Sequence, residues 1–271
     1  MFYYLTNPIS SDKILVSMTF LRGVVLMIDL HCHALFGVDD GAQNVEIMQQ
    51  MLDTAYSDGI RAICFTPHFK HHHFKSEADI FAYNEKIKQS FSVACDYVAE
   101  KYADLKLYLG NEIMYHHDIY ASITEGKCSK IADTSYALIE FLPTTPFFEI
   151  SSALLNLLRK GIRPILAHVE RYGELADDIS RVKELREGGV LIQVNASSIT
   201  KLKFGKSARF IKRLFKSSLV DLIATDAHDA NEYAPIMSSA VSIIEKKYGE
   251  KMARRVSLTV PNMILENQKK L

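Results

Sequence analysis

The chain has 271 residues, of which 48% are hydrophobic, so it is long enough to bury a large core within one domain. Its 32 basic and 32 acidic residues cancel, which excludes the strongly basic balance typical of proteins that bind nucleic acid or anionic membranes. The cysteines are scattered and form no C-x-x-C pair, so we predict reduced thiols in a cytoplasmic protein. They are Cys32, Cys64, Cys95 and Cys128.

Residues 1–26 are predicted to form an extension ahead of the domain, and a misassigned start codon would explain them. The apolar stretch over residues 14–28 contains Arg22 and is too short to span a membrane. A cleaved signal peptide is not expected, because the stretch continues directly into the first predicted strand. We therefore predict a single domain over residues 27–271 and no integral membrane segment. A peripheral membrane anchor within residues 1–26 is the alternative.

Seven short apolar segments have the composition of buried strands, and each runs into a polar side chain. They are residues 25–30, 62–66, 106–110, 136–139, 163–167, 190–194 and 222–225. Segments with helical periodicity lie between most of them, at residues 45–57, 78–102, 150–160, 179–187, 204–216 and 234–248. Alternating strands and helices predict a parallel sheet, and a count of seven favours a distorted or open α/β barrel over the standard eightfold one.

The side chains at the ends of these strands are of the types that bind metals. His31 and His33 are two residues apart at a strand end, so both face the same side. Asp226 and His228 repeat this spacing after the last strand. Single residues follow other strands, namely His68, Glu112, Glu140 and His168. Strand ends of a barrel converge on one mouth, where metal-free carboxylates would face one another at high cost. The sequence therefore predicts a polynuclear metal site.

Several short motifs, taken in chain order, resemble those of PHP-domain phosphoesterases. They are Asp29-Leu30-His31-Cys32-His33, Val38-Asp39-Asp40-Gly41, Thr66-Pro67-His68, Asn111-Glu112, Ala137-Leu138-Ile139-Glu140-Phe141, Ala167-His168-Val169-Glu170-Arg171-Tyr172 and Thr225-Asp226-Ala227-His228. Within that superfamily, the Val-Asp-Asp-Gly and His-x-Glu-Arg-Tyr motifs resemble the tyrosine-protein phosphatases of bacterial capsule and exopolysaccharide biosynthesis (CpsB/YwqE-like). The resemblance spans nearly all of the chain from residue 27 onward.

The resemblance implies a distorted (β/α)7 barrel of the PHP type with three divalent metal ions. The first ion would be bound by His31, His33, Asp226 and a bridging Glu112, the second by Glu112, Glu140 and His168, and the third by Asp40, His68 and His228. Imidazole and carboxylate ligands without thiolate suit Mn²⁺, Zn²⁺ and iron, and relatives favour manganese.

The resemblance further implies hydrolysis of phosphotyrosine by a metal-bound hydroxide, with His33, Asp226 and Arg171 as catalytic residues. Arg171 would bind two phosphate oxygens of the substrate, although an ion pair with Glu170 or Glu174 is the alternative. The implied substrate is a bacterial tyrosine kinase that controls polysaccharide export. Two other functions stay open: hydrolysis of a small metabolite such as histidinol phosphate, and a weakly catalytic regulator that binds the kinase.

Three further features bear on the function. Family members often have an arginine shortly after the last D-x-H motif, and this chain has none in residues 229–235. The His71–His73 run and the His116-His117 pair are predicted to be solvated parts of a lid and not metal ligands. Residues 201–216 contain seven basic residues and no acidic one, with an apolar stripe at helical spacing. Their basic face is either simply solvated or a docking surface for an acidic phosphorylated segment.

Overall fold

The computed structural model describes residues 26–201 and 204–267. The predicted extension over residues 1–26 lies outside the described residues, apart from Leu26, and stays a prediction. No helix among the described residues is long and apolar enough to cross a lipid bilayer.

All seven predicted strand segments contain a strand, and every strand pairing found among the described residues is parallel. The strands are β1 Met27–Cys32, β2 Ile60–Phe65, β3 His68–Phe69, β4 Lys106–Leu109, β5 Glu112–Met114, β6 Tyr136–Glu140, β7 Arg163–Leu166, β8 Leu191–Asn195 and β9 Leu222–Ala224. They form one sheet in the order β1-β2-β4 and a second in the order β3-β5-β6-β7-β8-β9. The predicted parallel α/β fold is confirmed at this level.

The two short strands β3 and β5 were not predicted, and each follows closely after a longer strand. Pro67, which has no N–H to donate, separates β2 from β3. Backbone hydrogen bonds continue across the interruptions, from Gly110 N to Phe65 O at 2.8 Å and from Glu112 N to Thr66 O at 3.2 Å. The two sheets are therefore linked where β2 and β4 end.

The first strand meets the segment that follows the last strand. The His33 N–H donates to the Ala227 carbonyl at 2.9 Å, and the Asp226 N–H donates to the His31 carbonyl at 2.8 Å. Cys32 and Ala227 form an isolated parallel bridge. These contacts bring the carboxyl ends of β1 and β9 side by side, so the sheets curl toward a common site.

Among residues 26–201 and 204–267, all six predicted helices are present, five of them with shifted ends, and five short helices were not predicted. The helices are α1 Val45–Asp58, α2 Glu77–Lys101, α3 Ile119–Thr124, α4 Phe147–Arg159, α5 Gly173–Asp177, α6 Ile179–Glu187, α7 Ala196–Lys201, α8 Gly205–Lys216, α9 Ser238–Tyr248, α10 Glu250–Arg254 and α11 Val260–Glu266. The prediction that helix α9 begins at residue 234 is wrong, since it begins at Ser238. Pro235 disfavours helical conformation at the residue before it, and the Asp58 carboxylate accepts hydrogen bonds from Met237 N and Ser238 N at the start of the helix.

The helices cover the sheets through apolar stripes of the kind that the sequence predicts. In α1, the side chains of Met48, Met51, Leu52 and Ala55 are fully buried. The Asn44 side chain caps the start of α1, and Gly59 ends it in the left-handed conformation at φ 101°. The methionines are thus core residues, and the packed helices fix the strands whose ends carry the polar residues.

Candidate metal centre

The nine residues that the resemblance assigns to metal ions lie together at the carboxyl ends of the strands. Each comes from a strand end or from the segment directly after one. They are His31, His33, Asp40, His68, Glu112, Glu140, His168, Asp226 and His228. All are buried or partly buried except Asp40, which is exposed in the loop between β1 and α1. Because parallel strands end at the same edge of a sheet, six separate chain segments contribute to one site.

Three groups of these side chains have ligand atoms close enough to hold one cation each. In each group the selected atoms lie within 4.8 Å of one another. The groups are His31, His33, Glu112 and Asp226; His68, Glu112 and Glu140; and His33, Asp40, His68 and His228. The first contains the four residues assigned to the first ion. The third contains the set assigned to the third ion, with His33 added.

His168 is the residue whose position differs most from the implied grouping. Its Nε2 lies 2.7 Å from Glu112 Oε1 and 3.7 Å from Glu140 Oε2, so it borders the second group without belonging to it. His68 stands with the two carboxylates instead, since its Nδ1 lies 2.9 Å from Glu112 Oε2 and 3.2 Å from Glu140 Oε1.

Lone-pair donors face one another at the centre of the site, which is the arrangement that a cation requires. The Nε2 atoms of His31 and His33 are 3.1 Å apart, and Glu112 Oε2 lies 3.3 and 3.4 Å from them. Among the described residues, four buried atoms form no well-oriented hydrogen bond, although the first three lie close to one another: Glu112 Oε2, Glu140 Oε1, His68 Nδ1 and His168 Nδ1. Imidazole and carboxylate donors left unpaired in a buried site fit divalent ions such as Mn²⁺, Zn²⁺ or iron.

The electrostatics of the cluster favour positive charge. Burial alone would lower the pKa of His31, but the carboxylates of Glu112 and Asp226 outweigh burial and raise it well above its ordinary value. The pKa of His68 is raised in the same way to about 10 by Glu112 and Glu140. Although burial opposes it, the neighbouring imidazoles lower the pKa of Glu112 well below its ordinary value. A metal ion would supply the positive charge that the carboxylates require.

Asp39 supports the site and was given no role from the sequence. Its Oδ2 lies 2.7 Å from His33 Nδ1 and accepts a hydrogen bond from His68 N at 3.0 Å, while its Oδ1 accepts one from Gly41 N at 3.0 Å. Despite burial, the hydrogen bond and charge of His33 lower the pKa of Asp39 to about 2. A carboxylate on the far ring nitrogen orients a ligating histidine. Its position inside the Val38-Asp39-Asp40-Gly41 motif was the signal that could have found it.

Two polar residues of β8 hold ligand candidates and were also missed. The Gln193 Oε1 atom lies 3.3 Å from His31 Nδ1 and accepts a hydrogen bond from His168 N at 2.7 Å. The Asn195 Nδ2 atom donates to Asp226 Oδ2 at 2.7 Å. The sequence showed Asn195 at a strand end, and the two-residue spacing to Gln193 marks both for the same face.

Arg171 pairs with a ligand candidate rather than with its neighbours in sequence. Its Nη2 donates to Asp226 Oδ2 at 2.5 Å, and its side chain is 49% exposed. The alternative ion pair is wrong: Glu170 is buried and accepts a hydrogen bond from a backbone N–H of β8, and Glu174 pairs with Arg181. Arg171 thus lies at the edge of the site with part of its guanidinium open to solvent.

The backbone is strained at two of the strand ends. His168 has φ 31° and Asp226 has φ 52°, both in the left-handed region that residues with a Cβ rarely adopt. Each is held by a short hydrogen bond, from His168 N to Gln193 Oε1 at 2.7 Å and from Asp226 N to the His31 carbonyl at 2.8 Å. The strain turns both side chains into the site directly after their strands.

Gly41 is required for the turn that carries Asp39 and Asp40. A Cβ at this position would lie 1.8 Å from the His33 carbonyl oxygen and 2.7 Å from the His33 Cβ. Gly41→Ala is therefore expected to displace His33 and to reduce metal affinity and turnover by about tenfold or more. Gly173→Ala is the matched control, because a Cβ there meets no atom within 4 Å. Equal metal affinity in both variants, by competition with a chelator, would contradict the prediction.

The other histidines at this end of the sheets lie outside the three groups. His71 belongs to the 3-10 turn His71–His73, and its ring stacks on His116 at 4.5 Å between centroids. The prediction that the His116-His117 pair is solvated is wrong for His116, since both of its ring nitrogens are buried and have no partner among the described residues. His117 is exposed and lies 2.8 Å from Asp118.

His116 is expected to reduce stability in acid. Burial, together with the nearby charges of His71, His117 and Lys127, lowers its pKa to about 4, while Asp118 opposes this. Unfolded histidine titrates near 6.5, so stability is full above that pH and falls as the pH drops through 4. Between pH 7 and pH 4.5, the free energy of unfolding of His116→Phe, measured with urea, should fall by about 1 kcal/mol less than that of wild type. His117→Phe is the control, and equal losses in the two variants would refute the assignment.

The loop after His228 is held by a cation from α7. The Asp229 Oδ1 atom accepts hydrogen bonds from Asn231 N at 2.6 Å and Tyr233 N at 3.1 Å, which closes the loop on itself. The Lys201 Nζ atom donates to the Glu232 carbonyl at 2.6 Å and lies 4.7 Å from the centre of the Tyr233 ring. Residues 229–235 contain no arginine, and Lys201 is the cation beside this loop.

Comparison with known proteins assigns the chain to a family. The family model for capsular polysaccharide synthesis, CpsB/CapC, matches residues 27–266. The chain belongs to the CpsB/CapC family. The tyrosine-protein phosphatase CpsB of Streptococcus pneumoniae is 34% identical over 247 residues, which cover 89% of this chain and 99% of that protein. The resemblance that the sequence motifs indicate is therefore confirmed.

Solved structures support the CpsB/CapC assignment at the level of the fold. One solved structure has a TM-score of 0.76 and 26% sequence identity to this chain. It belongs to the pair YwqE of Bacillus subtilis and CpsB of S. pneumoniae, which are described as unique metal-dependent tyrosine phosphatases. It covers 90% of this chain and 96% of that one. A histidinol phosphate phosphatase of Lactococcus lactis, solved with zinc, L-histidinol and phosphate, shares only the fold with this chain. Its TM-score is 0.54 at 16% sequence identity, and the match covers 84% of this chain and 93% of that one.

Proposed function

We propose that this protein is a metal-dependent tyrosine-protein phosphatase that hydrolyses phosphotyrosine in proteins. The observation that carries the proposal is the convergence of nine imidazole and carboxylate side chains on one site in a chain of the CpsB/CapC family. Relatives over the same length are named tyrosine-protein phosphatases. A buried cluster of unpaired ligand atoms is costly to maintain without the cations that such an enzyme uses.

We infer that the site binds three divalent ions, with manganese favoured and zinc or iron compatible with the ligands. The three groups of side chains within 4.8 Å support this number. Glu112 belongs to two groups and would bridge two ions, and His168 would complete the second together with Glu140. His33 and His68 each belong to two groups, so their assignment to one ion depends on the occupancy of the other.

We also infer that the two sheets form one distorted (β/α)7 barrel of the PHP type. If β2 continues into β3 and β4 into β5, seven strands remain around the site. The hydrogen bonds across the interruptions and the contacts between β1 and the segment after β9 support this reading. On this view, residues 27–271 are one domain that residues 1–26 precede, and a family match over residues 27–266 supports this division.

In the proposed mechanism, divalent ions held by these nine residues would supply positive charge for the phosphate and would make water a competent nucleophile near neutral pH. The chain supplies orientation. Asp39 orients His33, Gln193 orients His31, and Asn195 fixes Asp226. The exposed part of the Arg171 guanidinium binds two oxygens of the phosphate. The phenolate of tyrosine, whose conjugate acid has a pKa of about 10, leaves without a dedicated acid.

The proposed substrate is a bacterial tyrosine kinase that controls polysaccharide export, and the proposed location is the cytoplasm. Membership of a capsular polysaccharide synthesis family supports the first. All four cysteines are free, which suits a reducing compartment.

The decisive experiment measures phosphate release by chelated protein that is reconstituted with Mn²⁺. The substrates are a phosphotyrosine peptide and histidinol phosphate at equal concentration. We expect the peptide to be hydrolysed only with the metal and faster than the metabolite. Preference for histidinol phosphate would identify a metabolite phosphatase, whereas no turnover of either would leave a regulator that binds its kinase.

Arg171→Ala is expected to raise the KM for phosphotyrosine and to lower kcat/KM by about a hundredfold, because the bidentate contact with phosphate is lost. Arg171→Lys should restore part of the loss, since it keeps the charge but not the planar fork. Asn195 still holds Asp226 in both variants, so metal affinity should change little. Weaker metal binding with an unchanged KM would instead show that Arg171 serves only to position Asp226.

A further inference from the structure

The helix α8 has one buried apolar side and one exposed basic side. Its buried residues are Phe210, Ile211, Leu214 and Phe215. Its exposed cations are Lys206, Arg209, Lys212, Arg213 and Lys216, which we call the basic face. The sequence predicted this amphipathic pattern but left open whether the basic face is only solvated.

Most of the basic face lacks an ion-pair partner, although the charge of Arg213 reaches Asp178 and contributes, after the hydrogen bonds from Ser180, to lowering the pKa of that carboxyl. Lys206 Nζ lies 2.6 Å from Asp177 Oδ1. For Arg209, Lys212, Arg213 and Lys216, no carboxylate lies within ion-pair distance among residues 26–201 and 204–267. In a chain with no net charge, four unpaired cations on one helix side form a local positive patch.

Helix α8, which carries the basic face, lies beside the candidate metal centre. Helix α8 packs against the 3-10 turn Val169–Arg171, which carries Arg171, and against α5. It follows β8 and α7, so it starts on the side where the strands end. Phe204, directly before it, has 90% of its surface exposed. A helix of 12 residues is about 18 Å long, so the basic face spans roughly the length of five or six extended residues.

We propose that the basic face of α8 is a docking surface for an acidic polypeptide segment next to the phosphotyrosine that enters the site. The proposal rests on the function proposed above and names the class of substrate that it favours. A phosphotyrosine-bearing chain with acidic flanking residues complements both Arg171 and the patch. The patch increases encounter and affinity without touching the reacting atoms, so it acts on KM and not on kcat.

The test compares two triple variants that remove the same charge. Arg209→Gln/Lys212→Gln/Arg213→Gln neutralises the basic face, and Lys246→Gln/Lys247→Gln/Lys251→Gln neutralises three exposed lysines of α9 and α10. None of the six side chains is buried, so both variants should fold. The substrates are a phosphotyrosine peptide with acidic flanks and p-nitrophenyl phosphate, each at low and high salt.

The α8 variant should show about a tenfold higher KM for the acidic peptide, with kcat within about twofold of wild type. Its activity on p-nitrophenyl phosphate should be unchanged, and the salt dependence seen with wild type should largely disappear. The control variant should behave as wild type with both substrates. An unchanged KM for the peptide, or an equal loss with both substrates, would overturn the docking surface.

Direct binding separates this proposal from the proposed function. Fluorescence anisotropy with a non-hydrolysable phosphonate analogue of the acidic peptide gives a Kd without turnover. Wild type that binds but does not hydrolyse the phosphotyrosine peptide would contradict the proposed function, whereas equal Kd values for wild type and the α8 variant would overturn docking. If the α8 variant loses binding to phosphatidylserine vesicles but binds the peptide as wild type does, the basic face is a membrane-binding surface, and the proposal of a peptide docking surface is overturned as well.

Discussion

Replacing Glu112 with glutamine is expected to reduce phosphotyrosine hydrolysis by about a thousandfold or more while the fold persists. Its carboxylate lies within 3.4 Å of four imidazoles, those of His31, His33, His68 and His168. The amide has the same shape but lacks the negative charge that two ions would share, and several kcal/mol of charge stabilisation would be lost. Asp226→Ala and His168→Ala should abolish turnover, because each removes a candidate metal ligand.

Metal content and far-ultraviolet circular dichroism make this result interpretable. Glu112→Gln should bind fewer ions per chain by mass spectrometry, with an unchanged spectrum. Glu187→Gln is the control, since that carboxylate is exposed and only pairs with Lys183 at 3.6 Å. Full activity with Glu112→Gln would exclude this site as the catalytic centre.

Asp221→Ala is expected to reduce the free energy of unfolding by about 3–5 kcal/mol. The Asp221 carboxylate is 3% exposed and accepts hydrogen bonds from Arg186 Nε at 3.0 Å, Arg255 Nη2 at 2.6 Å and Ile192 N at 3.1 Å. It thereby joins α6, β8, the start of β9 and the π-helical turn Arg255–Thr259. Without it, two guanidinium groups and a backbone N–H lose their common partner.

Urea unfolding measures this loss, and Asp104→Ala provides the comparison. Asp104 also pairs with an arginine, Arg61, at 3.0 Å, but its carboxylate is 60% exposed, so its removal should cost less than about 1 kcal/mol. Activity per folded molecule should not change in either variant, because both ion pairs lie outside the metal centre. Losses of similar size would show that burial does not govern the contribution of Asp221.

The sequence predicts the parallel α/β pattern well because strand and helix periods are local properties. It fails where the backbone depends on distant contacts. The interruption between β2 and β3 is visible as Pro67, but their common path is set by hydrogen bonds to neighbouring strands. The short helices α3, α5 and α7 have five or six residues, too few for a periodic signal.

The candidate site follows the same division. Its candidate metal ligands stand at strand ends, and motifs in chain order reveal them. The supporting residues do not stand out, because a buried glutamine such as Gln193 is recognised only when its partners are known. The pairing of Arg171 with Asp226 joins two loops 55 positions apart, and no local pattern encodes it.

The meeting of the first and last strands makes the site a product of the whole chain. Asp29 accepts hydrogen bonds from the backbone and the hydroxyl of Thr225, a separation of 196 residues. During synthesis, His31 and His33 leave the ribosome long before Asp226 and His228 exist. Such distant pairings form late in folding. A nascent or prematurely terminated chain therefore cannot assemble the site, and hydrolysis begins only when synthesis is nearly complete.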